Sequence, residues 1–250
     1  MQDSLGEAFR RSPTSLGLAT FLAMTVWGFH LFGLISPFPG WTFHDPSALL
    51  PLIALPLWPV VARGQLRSVG LRLRPIQGWS WWLIAFGIYL AVASLLAGAH
   101  LGLHALGWNP LPNDMWPPDF ARSQGVRFCV IIPLLEETIY RLAVCVTVTA
   151  WLDRWWGMGI SWALFVTAHV VGGNVAPDNV LAGALFAWAF VHSECFLVPV
   201  ALHALSNVLA LITMVLAWQL LRPSAEPAAV ADGRLIDLWN LIAHCSGGRC

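Results

Sequence analysis

The stretch PLLEETIYR, residues 133–141, puts Glu136, Glu137 and Arg141 inside a run that is otherwise apolar. An ionisable side chain in the middle of such a run costs a few kcal/mol to insert into a membrane and is by default a functional group. Glu137 and Arg141 are four apart, share a helix face and can pair. Glu136 points about 100° away and is left without a local partner, as a general base would be. Two further polar islands follow. ALFVTAHVVGG carries His169 with Phe165 one turn before it, and VPVALHALSNVLA carries His203 and Asn207 four apart on one face. A carboxylate, two imidazoles and an amide are the parts needed to activate water and to hold a developing oxyanion. At about 1.5 Å rise per residue, Glu136 and His169 both lie roughly 17 Å, and His203 roughly 10 Å, above one and the same membrane boundary, so a single site can gather them.

The elements that must position these residues follow from composition. Of 250 residues, 58% are hydrophobic and 10% charged, which is too apolar for a soluble domain of this length and predicts an all-α, polytopic transmembrane helical bundle of about seven spans. The expected segments are about 16–35, 47–62 (interrupted by Pro51, Pro56 and Pro59), 79–106, 126–152, 158–175, a short one at 180–191, and 196–221. The opening residues lack a signal-peptide layout, so the first segment is expected to be a retained span. Domain expectations are N-terminal transmembrane helices with a Pro-rich external loop over 1–125, a catalytic core over 126–221 and a polar tail over 222–250. Arg10, Arg11, Arg63, Arg67, Arg72, Arg74 and Arg154 fall on one side if every segment crosses, which predicts a cytoplasmic N-terminus. Lys plus Arg equals Asp plus Glu at 13 each, so no basic bias points to nucleic acid as a partner. Five cysteines without a CxxC argue against a zinc ribbon or dithiol site.

EETIYR, FVTAH and HALSN, in that order and each within an apolar segment, resemble the EExxxR, FxxxH and HxxxN motifs of the CPBP family (CAAX protease and bacteriocin-processing, or Abi) of intramembrane endopeptidases. The resemblance covers about residues 126–215. It implies hydrolysis of a peptide bond near the membrane interface, in a membrane-associated or C-terminally processed protein or peptide substrate, by a chain whose other partner is the lipid bilayer. Carried over residue by residue, Glu136 with His169 polarises water, and His203 with Asn207 holds the oxyanion. Glu137, Arg141 and the motif phenylalanine, Phe165, fix the helices and the field around Glu136. The family has been described both as metal-dependent and as glutamate-dependent. The absence of an HExxH favours the metal-free mechanism, and Glu136, His169 and His203 are the ligands if zinc is used. A bacterial inner membrane is the expected setting.

The remaining polar residues have plainer readings. His100 and His104 are expected at the membrane interface, His192 and Glu194 in a solvated turn, and Cys129 and Cys145 in apolar packing. His30 and His44 have no evident partners. Cys245 and Cys250 in the tail can close a small disulfide loop if that tail faces an oxidising space. Two other functions fit the same polar islands: a transporter or proton-relay component, and a catalytically silent scaffold or immunity protein.

Overall fold

The computed structural model describes residues 4–35, 46–106, 115–174 and 176–221. Among them every regular element is helical. A short helix α1 (Glu7–Arg10) precedes α2 (Pro13–Ile35), α3 (Pro46–Val61) and α4 (Ser80–Ala105). A continuous helical run, α5, covers 118–151, followed by α6 (Arg154–Val171), α7 (Pro177–Ser193) and α8 (Leu197–Leu221). The seven long helices, α2 to α8 among the described residues, form the all-α membrane bundle that the composition calls for. Three stretches, Pro13–Leu34, Ser80–Leu103 and Leu197–Gln219, are by length and apolarity alone able to cross a bilayer. Large apolar side chains on these helices point outward, among them Phe21, Met24, Leu83, Leu95 and Leu101. In a bilayer that surface meets lipid tails.

α5 occupies the middle of the bundle. It packs against α2, α3, α6, α7 and α8, whereas α4 packs on α7 and α8. Several junctions explain where the helices start and stop. The run 115–120, read from sequence as part of a loop, begins α5 at Pro118, because proline at the first helical position gives up only a donor that has no partner there. α3 stays helical through Pro51, Pro56 and Pro59. Asp153 caps α6, its Oδ1 accepting from the backbone N–H groups of Trp155 at 2.7 Å and Trp156 at 3.1 Å. α7 runs a full Pro177–Ser193, longer than the expected 180–191, with Pro177 in its first turn.

α5 is not a uniform α-helix. Two stretches, Arg127–Ile131 and Thr138–Cys145, widen into π-helical turns. A π turn shifts the hydrogen-bond ladder by one residue, and a neighbouring side chain can then take up a displaced carbonyl. In each stretch this is what is found. Asn207 of α8 donates from Nδ2 to the Phe128 carbonyl at 2.7 Å, and Ser161 of α6 donates from Oγ to the Tyr140 carbonyl at 2.8 Å.

At the other end of the bundle, the segment after α3 folds against the α7–α8 turn. Arg72 pairs with Glu194 at 3.0 Å, the Phe196 N–H donates to the Gly70 carbonyl at 2.8 Å, and Gly6 N–H donates to Ser68 O at 2.7 Å. Gly70 has φ +79°, and a Cβ there would sit 2.7 Å from the Phe190 ring, so this position requires glycine. Here the expectation of a solvated turn is corrected. Glu194 is half-buried and ion-paired, and His192 stacks against Trp81 and Trp188, because the loop after α3 folds over the turn and shields it. Residues 36–45 with His44, residues 107–114, and residues 222–250 with Cys245 and Cys250 lie outside the described residues.

Candidate active site

The centre of the bundle is built around a buried ion pair. Arg141 Nε stands 2.8 Å from Glu137 Oε2, both side chains fully buried. The Nε–H is not aligned on that oxygen, so the pair is held by charge more than by a directed bond. The guanidinium spends its other nitrogens on neighbouring helices. Nη1 donates to Ser161 Oγ at 2.6 Å, Nη2 to the Gly183 carbonyl at 3.4 Å, and the Phe165 ring lies 5.5 Å from its central carbon. Arg141 thereby ties α5 to α6 and α7. The approach of α7 is possible because residue 183 is glycine, since a Cβ there would stand 2.7 Å from Phe165 Cδ1.

Glu137 has a second partner that spacing along the helix does not reveal. His203 Nδ1 lies 3.0 Å from Glu137 Oε1, and its Nε2 lies 3.8 Å from Glu136 Oε2. One imidazole thus bridges the two adjacent carboxylates, which leave the helix in different directions. Its ring stacks on Phe186 at 4.9 Å between centroids, and this fixes the ring plane. His169 approaches Glu136 from α6, with Nε2 4.0 Å from Oε2. Its Nδ1 donates to the Phe165 carbonyl at 3.0 Å, and its ring packs on Phe165 at 4.3 Å. A carbonyl can only accept, so His169 carries a proton on Nδ1, and its Nε2 faces Glu136. Glu136 Oε2 is itself buried with no hydrogen-bond partner among the described residues.

The structure therefore brings Glu136, His169 and His203 to one point, with Glu137, Arg141 and Phe165 directly behind them. Asn207 lies one turn beyond His203, with one of its two amide hydrogens committed to Phe128. Outside this cluster, His100 stands 3.9 Å from Asp178 on the exposed side of α4 and α7, and Cys145 is buried while Cys129 is partly so. Sequence reasoning missed three residues that hold the cluster: Ser161, Gly183 and Phe186. The small residues carry a readable signal after the fact, since close helix crossings in membranes select Gly and Ser.

Fold and cluster together define an integral membrane protein with a charged site closed inside an all-α bundle. Residues 118–209 match the family model described as "Type II CAAX prenyl endopeptidase Rce1-like", so this stretch is similar to that family, the one the three motifs resemble. The match contains every residue of the cluster and excludes α2, α3 and α4. No curated protein and no solved structure matches the chain.

Proposed function

We propose that the protein hydrolyses a peptide bond of a membrane-associated or C-terminally processed protein or peptide, with water activated by Glu136. The observation that carries this reading is the convergence of the Glu136 carboxylate and two imidazole nitrogens at 3.8 and 4.0 Å. Those separations exceed a direct hydrogen bond and suit an oxygen held between the groups. Water donating to Glu136 Oε2 and to His169 Nε2 has its own lone pair free to attack. As the oxygen bonds to the carbonyl carbon, Glu136 takes the proton. A protonated His203 brings Glu136, Glu137, Arg141 and His203 to zero net charge, which a low-dielectric interior favours. Its Nε2–H then donates to the oxyanion, and Glu137 orients it as the buried carboxylate of a catalytic triad orients its histidine. The remaining amide hydrogen of Asn207 supplies a second donor. Collapse breaks the C–N bond, and Glu136 passes its proton to the leaving amine.

Zinc fits this arrangement poorly. Direct bonds of about 2.0–2.1 Å in a tetrahedron would set the donor atoms roughly 3.3 Å apart. They stand at 3.8 and 4.0 Å. We therefore propose metal-free catalysis. For setting, we propose a bacterial inner membrane with a cytoplasmic N-terminus. Support for the orientation comes from the rim, where Arg10 donates to the Thr149 carbonyl, Arg72 pairs with Glu194, and Arg154 acts electrostatically on Glu194, gathering basic residues at one end of the bundle.

The test is cleavage by purified protein in liposomes holding model peptides with prenylated and with plain C-termini, before and after exhaustive chelation. The reading expects cleavage that survives chelation and is absent from Glu136→Gln. Loss of activity to the chelator, restored by zinc, would return the three residues to the role of ligands. Full cleavage by Glu136→Gln would remove the base, and the relay and scaffold readings would then stand.

A further inference from the structure

The two ends of the bundle differ in charge. At one end four segments meet: residues 4–12 with α1, the stretch 62–79 after α3, the α5–α6 junction at 149–156 and the α7–α8 turn at 192–196. Gly6 N–H donates to Ser68 O, Ile76 N–H to Ser193 O at 3.0 Å, Gln77 Nε2 to the His192 carbonyl and Arg10 to the Thr149 carbonyl, while the Trp155 ring meets the His192 ring at 5.9 Å. Together these segments hold seven arginines against three carboxylates, an excess of four positive charges. At the opposite end, the described residues within 100–106, 115–127 and 172–178 hold two arginines and two aspartates, which balance.

The three carboxylates of the basic end are already engaged. Glu7 pairs with Arg11 at 3.1 Å and with Arg10 at 3.6 Å, Glu194 pairs with Arg72 at 3.0 Å, and Asp153 caps α6. Arg63, Arg67 and Arg74 form no ion pair with a described residue, and Arg154 lies over the Trp155 ring at 4.9 Å; all four are exposed. Large apolar side chains are exposed between them, Leu66, Leu73 and Trp79 along one segment and Trp151 and Trp156 at the α5–α6 junction. This rim stands where α3 ends and where α4 and α6 begin, which in a bilayer is the headgroup level. An acidic protein would meet the guanidinium groups and leave the tryptophans and leucines in water. A phospholipid layer takes both, because its phosphates accept paired N–H bonds from arginine and the region just below them accommodates tryptophan.

We propose that this rim is a binding surface for anionic phospholipid headgroups, with Arg63, Arg67, Arg74 and Arg154 taking the phosphates while Leu73, Trp79, Trp151 and Trp156 enter the apolar boundary beneath them. The excess of positive charge selects lipids of net negative charge over zwitterionic ones, and does so in one leaflet only. This selection holds whatever chemistry the bundle centre performs.

The test uses the full-length protein in liposomes with spin-labelled phosphatidylglycerol and phosphatidylcholine of the same acyl chains, whose relative association constants are read by electron paramagnetic resonance. Wild type should favour phosphatidylglycerol about twofold to fivefold at low salt and lose most of that preference in high salt. Arg67→Gln, Arg74→Gln and Arg154→Gln combined should bring the ratio close to one, whereas Arg122→Gln at the opposite end should leave it unchanged. Thermal melting in phosphatidylcholine liposomes shows which variants are folded. Arg72 is left in place because it fastens the turn. A wild-type ratio near one at low salt overturns the proposal with no variant needed, and so does a folded triple variant that keeps the preference. If the triple variant does not fold, Arg74→Gln and Arg154→Gln are measured singly, and a ratio unchanged in both overturns it. Salt-sensitive binding of polyglutamate to the protein in detergent, combined with a lipid ratio near one, would assign the rim to an acidic protein and reject the lipid.

Discussion

Two arginine–carboxylate pairs set away from the surface, one at the rim and one in the bundle centre, differ in what is left over. At the rim, Arg72 and Glu194 pair at 3.0 Å, and the surrounding bonds, from Phe196 to Gly70 and from Gly6 to Ser68, complete a fastening between the loop and the turn. Burial pushes the Glu194 carboxyl up, against the pull of Arg72, so the pair is held in a partly dry place. In the bundle centre, Arg141 and Glu137 pair at 2.8 Å, but the adjacent Glu136 has a buried oxygen that no donor among the described residues reaches. The first arrangement pairs its carboxylate directly and holds the fold together. The second is ion-paired behind and open in front, which is how a reacting group is held by a rigid frame.

The sharpest way to break this comparison is to change the open carboxylate. Glu136→Gln should lower cleavage by roughly 10³-fold or more while melting within about 1 kcal/mol of wild type, since it removes a proton acceptor and little packing. Arg141→Ala should do the reverse of that pattern. It strands Glu137 in the bundle, at a cost of about 3–5 kcal/mol, and should appear first as lost folded yield in detergent. Gly183→Ala probes the frame between them. The added methyl meets Phe165, so His169 shifts with its ring partner, and cleavage should fall about tenfold with a stability loss of about 1–3 kcal/mol. The smallest effect is expected at the rim, where Arg72→Ala should cost about 1 kcal/mol or less in melting and leave cleavage within roughly threefold. Equal losses of cleavage at rim and centre would erase the distinction.

How much of this was legible in the sequence depends on which physical rule was in play. The long helices α2, α4 and α8 follow from unbroken apolar length, and their observed ends fall close to the expected ones. That Glu136, His169 and His203 can meet at one point follows from rise per residue. What rise cannot give is rotation about each helix axis. The bond from His203 to Glu137 depends on how α8 is turned against α5, and that is fixed by Asn207 on the Phe128 carbonyl and by Phe186 under the imidazole. The π turns of α5 were equally hidden, because the partners that occupy their carbonyls, Ser161 and Asn207, come from other helices. Pro118 and Glu194 were misread for a simpler reason. Local composition marks a proline-rich loop and a polar turn, whereas one begins a helix and the other is folded under a distant segment.

The central claim is that water held by Glu136 and His169, without a metal, is the nucleophile. It is tested most directly by running the cleavage in 18O-labelled water with exhaustively chelated protein and weighing the new C-terminal fragment. The account predicts one 18O atom in the new carboxyl group from wild type and no fragment from Glu136→Gln. A fragment without the label, or one that forms only after zinc is added back, would contradict it.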